Sequence, residues 1–354
     1  MNHLTYLKPD EFVSQSSLIE DLFSNVRETQ EIEKLKKSLQ NMTYFGFNTI
    51  AVSHKDKYEG EMVCTCLDSL FKKTKKESIS HIVHCSPTAI IGEEGGIIGG
   101  VGRYVLDNQS LKNVTYIPML GGCASMQPVI EVASALAKYT NQAILVIFSL
   151  HPSSARKQII KENLVESKLR ASPFILFGDA CVAFTISQQK DNIKYNSYEL
   201  INSKFNYYSE QWVAKAFLQG ELTMLLNGDV QKNMLKNYLL KELDLARSLF
   251  GVKYFFVHNQ VPKFFKESIV ALNISEKIAP EIVSKYGNLA FVTSFINLCE
   301  NERIIKDKSV IGLFSAGEHS GVSESTLVFK FFESEDSIFQ KDILSMKKSK
   351  STLN

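Results

Sequence analysis

The period of apolar positions changes several times along this chain, and each change marks an element. VTYIPML (114–120) and AILVIFSL (143–150) are continuous apolar runs of strand length, the pattern of strands covered on both faces. Between them, residues 124–139 carry apolar side chains near 129, 132, 133, 136 and 137, a helical spacing. Strand, helix and strand in this order predict a βαβ unit within a parallel sheet. FILFGDACVAFTIS (174–187) reads as two short strands about a Gly-Asp turn, and HIVHCSPTAII (81–91) as a buried strand and turn.

The second half repeats that order. Residues 229–249 predict a long helix, KYFFVH (253–258) a strand and VPKFFKESIVAL (261–272) a helix. VIGLFSAG (310–317) and TLVFKFFE (326–333) predict a closing strand pair. Two halves of similar order predict a layered α/β fold built by internal duplication, with one half at 1–190 and the other at 191–354. The changeover falls in a polar stretch near 188–200. Residues 17–43 predict one or two polar helices whose charge runs form a solvated face. The tail KKSKSTLN (347–354) reads as frayed.

Composition narrows the class. With 44% hydrophobic and 22% charged residues among 354, the chain is too apolar for a disordered protein and long enough for a substantial core. A net charge of +2 without a basic stripe points away from a nucleic-acid partner. No apolar run reaches the roughly 18 residues of a membrane span. MNHLTYLKPDEF lacks the pattern of a signal peptide. Cysteines at 64, 66, 85, 123, 181 and 299 form no disulfide framework, so reduced thiols in a cytoplasmic setting are expected. Cys64, Cys66, His81, His84 and Cys85 are metal-ligand types, but their spacing fits no common zinc module, and no metal is expected. GEEGGIIGGVG (92–102) lacks the Gly-Lys-Ser/Thr ending of a phosphate loop.

Three residues are candidates for chemistry. Cys123, in MLGGCASMQ, follows a buried strand and two glycines and precedes a helix. A helix N-terminus favours a thiolate, the nucleophilic form. A small buried cysteine is the alternative. His258, in FFVHNQVPKFF, ends an apolar strand and points to the crevice beyond it, though a satisfied, partly buried histidine fits the same spacing. Asn288, in KYGNLAF, sits at a corner that is also an ordinary cap or turn.

Taken together, these blocks resemble the thiolase-like condensing enzymes, most closely β-ketoacyl carrier-protein synthase III. GGC (121–123), LFGDACVAF (176–184), NGDVQKNML (227–235), FVHNQVPKF (256–264), YGNLAFV (286–292) and FSAG (314–317) occur in the family's order. The resemblance spans most of the chain from about residue 40. It implies a five-layered αβαβα fold, a homodimer, and a Cys-His-Asn triad at Cys123, His258 and Asn288. It further implies acyl thioesters on coenzyme A or a carrier protein as substrates, with no permanently bound cofactor. Cys123 would hold the acyl group. The backbone N–H groups of Cys123 and Gly317 would form the oxyanion hole. His258 and Asn288 would stabilise the enolate left when a malonyl thioester loses carbon dioxide.

The sequence also departs from the family pattern. Gly121-Gly122 replaces the usual Ala-Cys flank, and Ser315-Ala316-Gly317 replaces a glycine triplet. The nucleotide-side tryptophan and arginine are missing near 44–47, and Arg170 is the remaining arginine that could meet a nucleotide or carrier. Acyl transfer to a hydroxyl or amine acceptor, or a non-catalytic partner subunit of a synthase, are the alternative functions.

Overall fold

The computed structural model describes residues 1–24, 29–40, 44, 46–53, 58–87, 98–153, 176–188, 195–208, 214–218, 222–226, 240–259, 261–317 and 322–334. Its strands are β1 (Asn2–Tyr6), β2 (Glu11–Ser14), β3 (Thr49–Val52), β4 (Ile79–Ser86), β5 (Thr115–Leu120), β6 (Ala143–Leu150), β7 (Ala180–Ile186), β8 (Ser197–Tyr208), β9 (Ala214–Leu218), β10 (Leu222–Leu226), β11 (Tyr254–Val257), β12 (Val310–Ala316) and β13 (Val322–Phe332). Nine of them form one mixed sheet in the order β11-β12-β13-β8-β1-β7-β6-β4-β5. β5 and β6 both run parallel to β4, as the βαβ spacing predicts. β12 and β13 pair antiparallel over their length. β1 and β8 meet only at Asn2 and Ser197. Helices α1 (Gln15–Phe23) and α2 (Gln30–Gln40) lie between β2 and β3 in the chain.

Strand alternation sorts the core into layers. On β6, Ile144, Val146 and Phe148 face one side, and Leu145 and Ile147 the other. The first set joins Val182 and Phe184 of β7, Leu313 of β12 and Phe329 of β13 in a central core. Helix α5 (Met126–Thr140) and the helix Val292–Asn301 fill that core through Val129, Ala133, Phe295 and Ile296. Phe148 lies 5.1 Å from Phe291, 5.0 Å from Phe295 and 6.0 Å from Phe184, ring centre to ring centre. A second core lies under helix α3 (Glu59–Leu70) and helix α4 (Ile98–Asn108), against Leu145, Ile147 and Ala183. A third lies under the helices Leu240–Phe250 and Pro262–Ala271, against Phe255, Val257, Phe314 and Val328. The β1–β8 bridge joins two halves of the sheet, β5-β4-β6-β7-β1 and β8-β13-β12-β11, and helices outside, between and outside these halves complete the five-layered α/β arrangement expected from the sequence.

One buried polar chain crosses the α3 face. Ser86 Oγ donates to Glu59 Oε1 at 2.6 Å, and Ser149 Oγ donates to the same oxygen. Ser149 therefore accepts at its oxygen, so the 2.6 Å contact from His84 Nε2 is an N–H donation. His84 Nδ1 then accepts from the Tyr116 hydroxyl. Burial lowers the His84 pKa from 6.5 to about 4, against the pull of Glu59, so the ring is neutral.

Three expectations change. β5, read as a strand covered on both faces, is the edge strand of the sheet and only partly buried, with Leu120 exposed. Only one strand, β7, is found in 174–187 among the described residues. Phe177 instead bridges to Asn288, because the backbone of 176–178 gives its hydrogen bonds to the Asn288 corner. Of the helix expected at 229–249, Leu240–Phe250 is helical, and 229–239 lie outside the described residues.

Candidate active site

Cys123 stands between the end of β5 and the start of α5, half-buried. The turn before it is tight. A Cβ built on Gly121 would lie 2.4 Å from Cys85 Sγ and 2.6 Å from Ser125 Oγ, so only glycine lets β5 pass so close to β4. The β12–β13 pair holds the far side of the turn. The Ser315 hydroxyl donates to the Cys123 carbonyl, and the Gln127 N–H donates to Ser325 Oγ at 2.7 Å.

His258 follows β11 and is 1% exposed. Its backbone N–H donates to Phe314 O at 2.8 Å, which ties it to the strand carrying Ser315. Its Nε2 lies 2.8 Å from Asn288 Oδ1, and its Nδ1 lies 3.4 Å from Ser315 Oγ. Burial lowers its pKa from 6.5 to about 4, opposed by the hydrogen bonds with Asn288 and the Ala316 backbone. The ring is therefore neutral at neutral pH.

Asn288 is set by its backbone first. Its N–H donates to Leu176 O at 2.8 Å, and its carbonyl accepts from Gly178 N–H at 3.2 Å. Gly287 before it adopts φ 76°, and a Cβ there would stand 2.7 Å from Ile50 Cγ2. The side chain is set by Ala290, whose N–H donates to Asn288 Oδ1 at 2.8 Å. Oδ1 thus accepts from both Ala290 and His258, and the amide turns its NH2 away from Ala290.

Ser315 links the backbone carbonyl of Cys123 to the His258–Asn288 pair. The structure does not support Gly317 as an oxyanion donor in this arrangement. Gly317, at φ 126°, spends its N–H on Ser323 O at 2.9 Å, closing the β12–β13 connection. Arg170 lies outside the described residues, as do Glu318 and His319 of the closing loop.

Three contributors were not singled out from the sequence. Ser315 was legible only as a departure from a glycine triplet. Ser325 sits in a run that reads as plain strand. Asp179 lies within the Gly-Asp turn, and its carboxylate accepts the Ser53 N–H at 2.8 Å and the Ser153 N–H at 3.1 Å. It thereby gathers the loops after β3 and β6 beneath the Asn288 corner.

The five layers are the fold of the thiolase-like condensing enzymes. The C-terminal type III polyketide synthase domain of Steely1 from Dictyostelium is 18% identical, with a TM-score of 0.69 over 92% of this chain and 97% of that one. 3-Oxoacyl-[acyl-carrier-protein] synthase III from Aquifex aeolicus is 15% identical, with a TM-score of 0.67 over 92% and 98%. OleA from Xanthomonas campestris, solved with lauric acid and lauroyl-CoA bound, is 12% identical, with a TM-score of 0.73 over 92% and 97%. No family model matches the chain. No curated protein matches it in sequence.

Proposed function

We propose that the chain is a condensing acyltransferase that loads an acyl group on Cys123 and joins it to a malonyl-type thioester. The observation that carries this reading is the buried, neutral His258–Asn288 pair beside the Cys123 turn. Ala290 orients the Asn288 amide with its NH2 outward, and Nε2 of His258 carries a proton. A carbonyl oxygen beside the pair would share Nε2–H and take an Nδ2–H. Two neutral donors stabilise a developing enolate without a buried cation that must be neutralised elsewhere.

The Cys123 thiolate attacks the acyl thioester carbonyl, the carbon–sulfur bond to the carrier breaks, and the carrier leaves as a thiolate that takes a proton from water. The malonyl thioester then loses carbon dioxide, leaving an enolate on the oxygen held by His258 and Asn288. The enolate carbon attacks the acyl-cysteine carbonyl, a carbon–carbon bond forms, and Cys123 leaves as thiolate. The donors are acyl groups on coenzyme A or a carrier protein, and no other cofactor is needed. We further propose a homodimer. β5 ends the nine-stranded sheet with an unpaired edge among the described strands, and its Leu120 is 61% exposed.

Intact-protein mass after exposure to acyl thioesters on coenzyme A and on carrier protein tests the first step, with Cys123→Ala in parallel. An acyl-sized gain in the parent, absent from the variant, is expected. Malonyl thioesters should then release carbon dioxide. An acyl-enzyme that transfers to a hydroxyl or amine without that release would replace condensation by simple acyl transfer. No gain with any donor would point to a non-catalytic partner subunit. Sedimentation checks the dimer.

A further inference from the structure

His258 and Asn288 are 30 residues apart in the chain, and each hangs from its own backbone anchor. His258 is fixed to β12 through Phe314 O, and Asn288 to residues 176–178 through Leu176 O and Gly178 N–H. Neither anchor ties one side chain to the other. The segment between them runs past β11, where Phe255 N–H donates to Ile278 O at 2.7 Å. Asn297 Nδ2, on the helix Val292–Asn301, then donates to Pro280 O at 2.7 Å. From there the chain enters the short helix Val283–Tyr286, which ends at Gly287, directly before Asn288.

Glu281 stands in the middle of that segment, and one of its carboxylate oxygens accepts twice. Ser284 N–H, in the first turn of the short helix, donates to Oε1 at 2.9 Å, and Asn259 Nδ2 donates to the same atom at 3.2 Å. The first contact satisfies a helix end that leads to Asn288. The second takes hold of the residue that follows His258. Asn259 is 0% exposed, and a carboxylate offers it only lone pairs, so the amide must turn its NH2 to Glu281. Asn259 Oδ1 is then buried with no partner among the described residues. A buried acceptor without a donor costs free energy. The fold retains this orphan beside His258 because the opposite orientation sets a carbonyl against the carboxylate.

We propose that Glu281 is a positioning residue whose Oε1 clamps the His258 turn to the helix leading to Asn288 and so sets the spacing of that pair. A carbonyl oxygen can share the His258 and Asn288 donors only while their separation holds. Without the shared oxygen, the helix loses its cap, the His258 turn loses its side tie, and the two donors part. The requirement is for an acceptor atom and not for a charge, so a glutamine oxygen serves as well. The catalytic meaning of the spacing rests on the condensing reading above; the clamp itself does not.

The test combines NMR of the full chain carrying isotope-labelled histidine with thioester kinetics. The His258 signals are assigned by their loss in His258→Gln. Glu281→Ala and Asn259→Ala should both shift the His258 ring signals, and Glu281→Gln should leave them at the parent position. Glu281→Ala should slow the carbon–carbon step about 10- to 100-fold, the scale of a misplaced reacting group. Acylation of Cys123 and KM should stay within about 3-fold, and Glu281→Gln should keep the parent rate. Asn259→Ala combined with Glu281→Ala should be no slower than Glu281→Ala alone, because both remove one contact. Glu281 is half-buried, so its two variants decide the matter if Asn259→Ala does not fold. An unchanged His258 spectrum in Glu281→Ala overturns the proposal. So does a Glu281→Gln variant as slow as Glu281→Ala, or single losses that multiply in the double variant. A shifted spectrum in a protein whose Cys123 accepts no acyl group removes the condensing reading and leaves the clamp standing.

Discussion

Acidification probes the buried polar groups directly, because three of them titrate abnormally and in opposite senses. Burial lowers His84 and His258 from 6.5 to about 4. Burial raises Glu324, 3% exposed, from 4.5 to about 7, helped by Glu242 and opposed by Asn206, Lys204 and Lys241. A depressed histidine binds its proton in the unfolded chain from 6.5 downward, but in the folded chain only near 4. Its contribution is whole above 6.5 and is lost as the pH falls. The raised carboxyl does the reverse. The folded chain holds the proton from about 7 downward and the unfolded chain only from 4.5, so its contribution grows as the pH falls and is lost on rising through 7.

The magnitudes follow from these values. Between about pH 7.5 and about pH 5, each histidine costs about 2 kcal/mol of stability and Glu324 offsets about 2 kcal/mol. The three together predict a loss of about 2 kcal/mol in the parent. His84→Gln or His258→Gln should bring that loss to about zero, and Glu324→Gln should double it to about 4 kcal/mol. Urea unfolding followed by circular dichroism at the two pH values gives each increment. Hydrogen bonds lost in a variant shift both measurements alike and cancel in the increment, as does the titration of exposed carboxylates. Equal increments in the parent and all three variants would refute the assignment of these groups as buried, neutral and abnormally titrating.

Three further substitutions have defined outcomes. Asp179→Ala leaves the buried Ser53 and Ser153 N–H groups without their acceptor and should cost about 2–6 kcal/mol in chemical denaturation, with Asp179→Asn, which keeps one acceptor oxygen, nearer half of that. Gly121→Ala places a Cβ 2.4 Å from Cys85 Sγ and should slow Cys123 acylation, followed by mass against time, by about 10-fold or more. Phe148→Ala empties the centre of the aromatic cluster with Phe184, Phe291 and Phe295, and should cost about 3–5 kcal/mol in thermal or urea unfolding.

The layers were legible because continuous apolar runs such as AILVIFSL announce strands buried on both faces, and α5 between them has a plain helical period. β8 was not legible. Its first residues fall in the polar changeover near 188–200, and the rest carries no apolar pattern because Lys204 and Asn206 meet buried carboxylates, Glu242 at 2.6 Å and Glu324 at 3.3 Å. α3 was missed for a related reason: its first turn begins with Glu59, whose burial depends on Ser86 and Ser149, partners far away in sequence.

The candidate site divides along the same line. Cys123, His258 and Asn288 could be picked out because each ends an element whose pattern is local. Ser315, Ser325 and Asp179 could not, because a hydroxyl or carboxylate that serves a distant backbone carries no periodic signal. The Gly317 expectation failed on hydrogen-bond accounting that only coordinates supply. A backbone N–H in a short connection between paired strands is claimed by the hairpin before any substrate, and Ser323 O claims this one. The same accounting gives Ser315 its weight. The hydroxyl is the atom through which the nucleophile turn and the histidine meet.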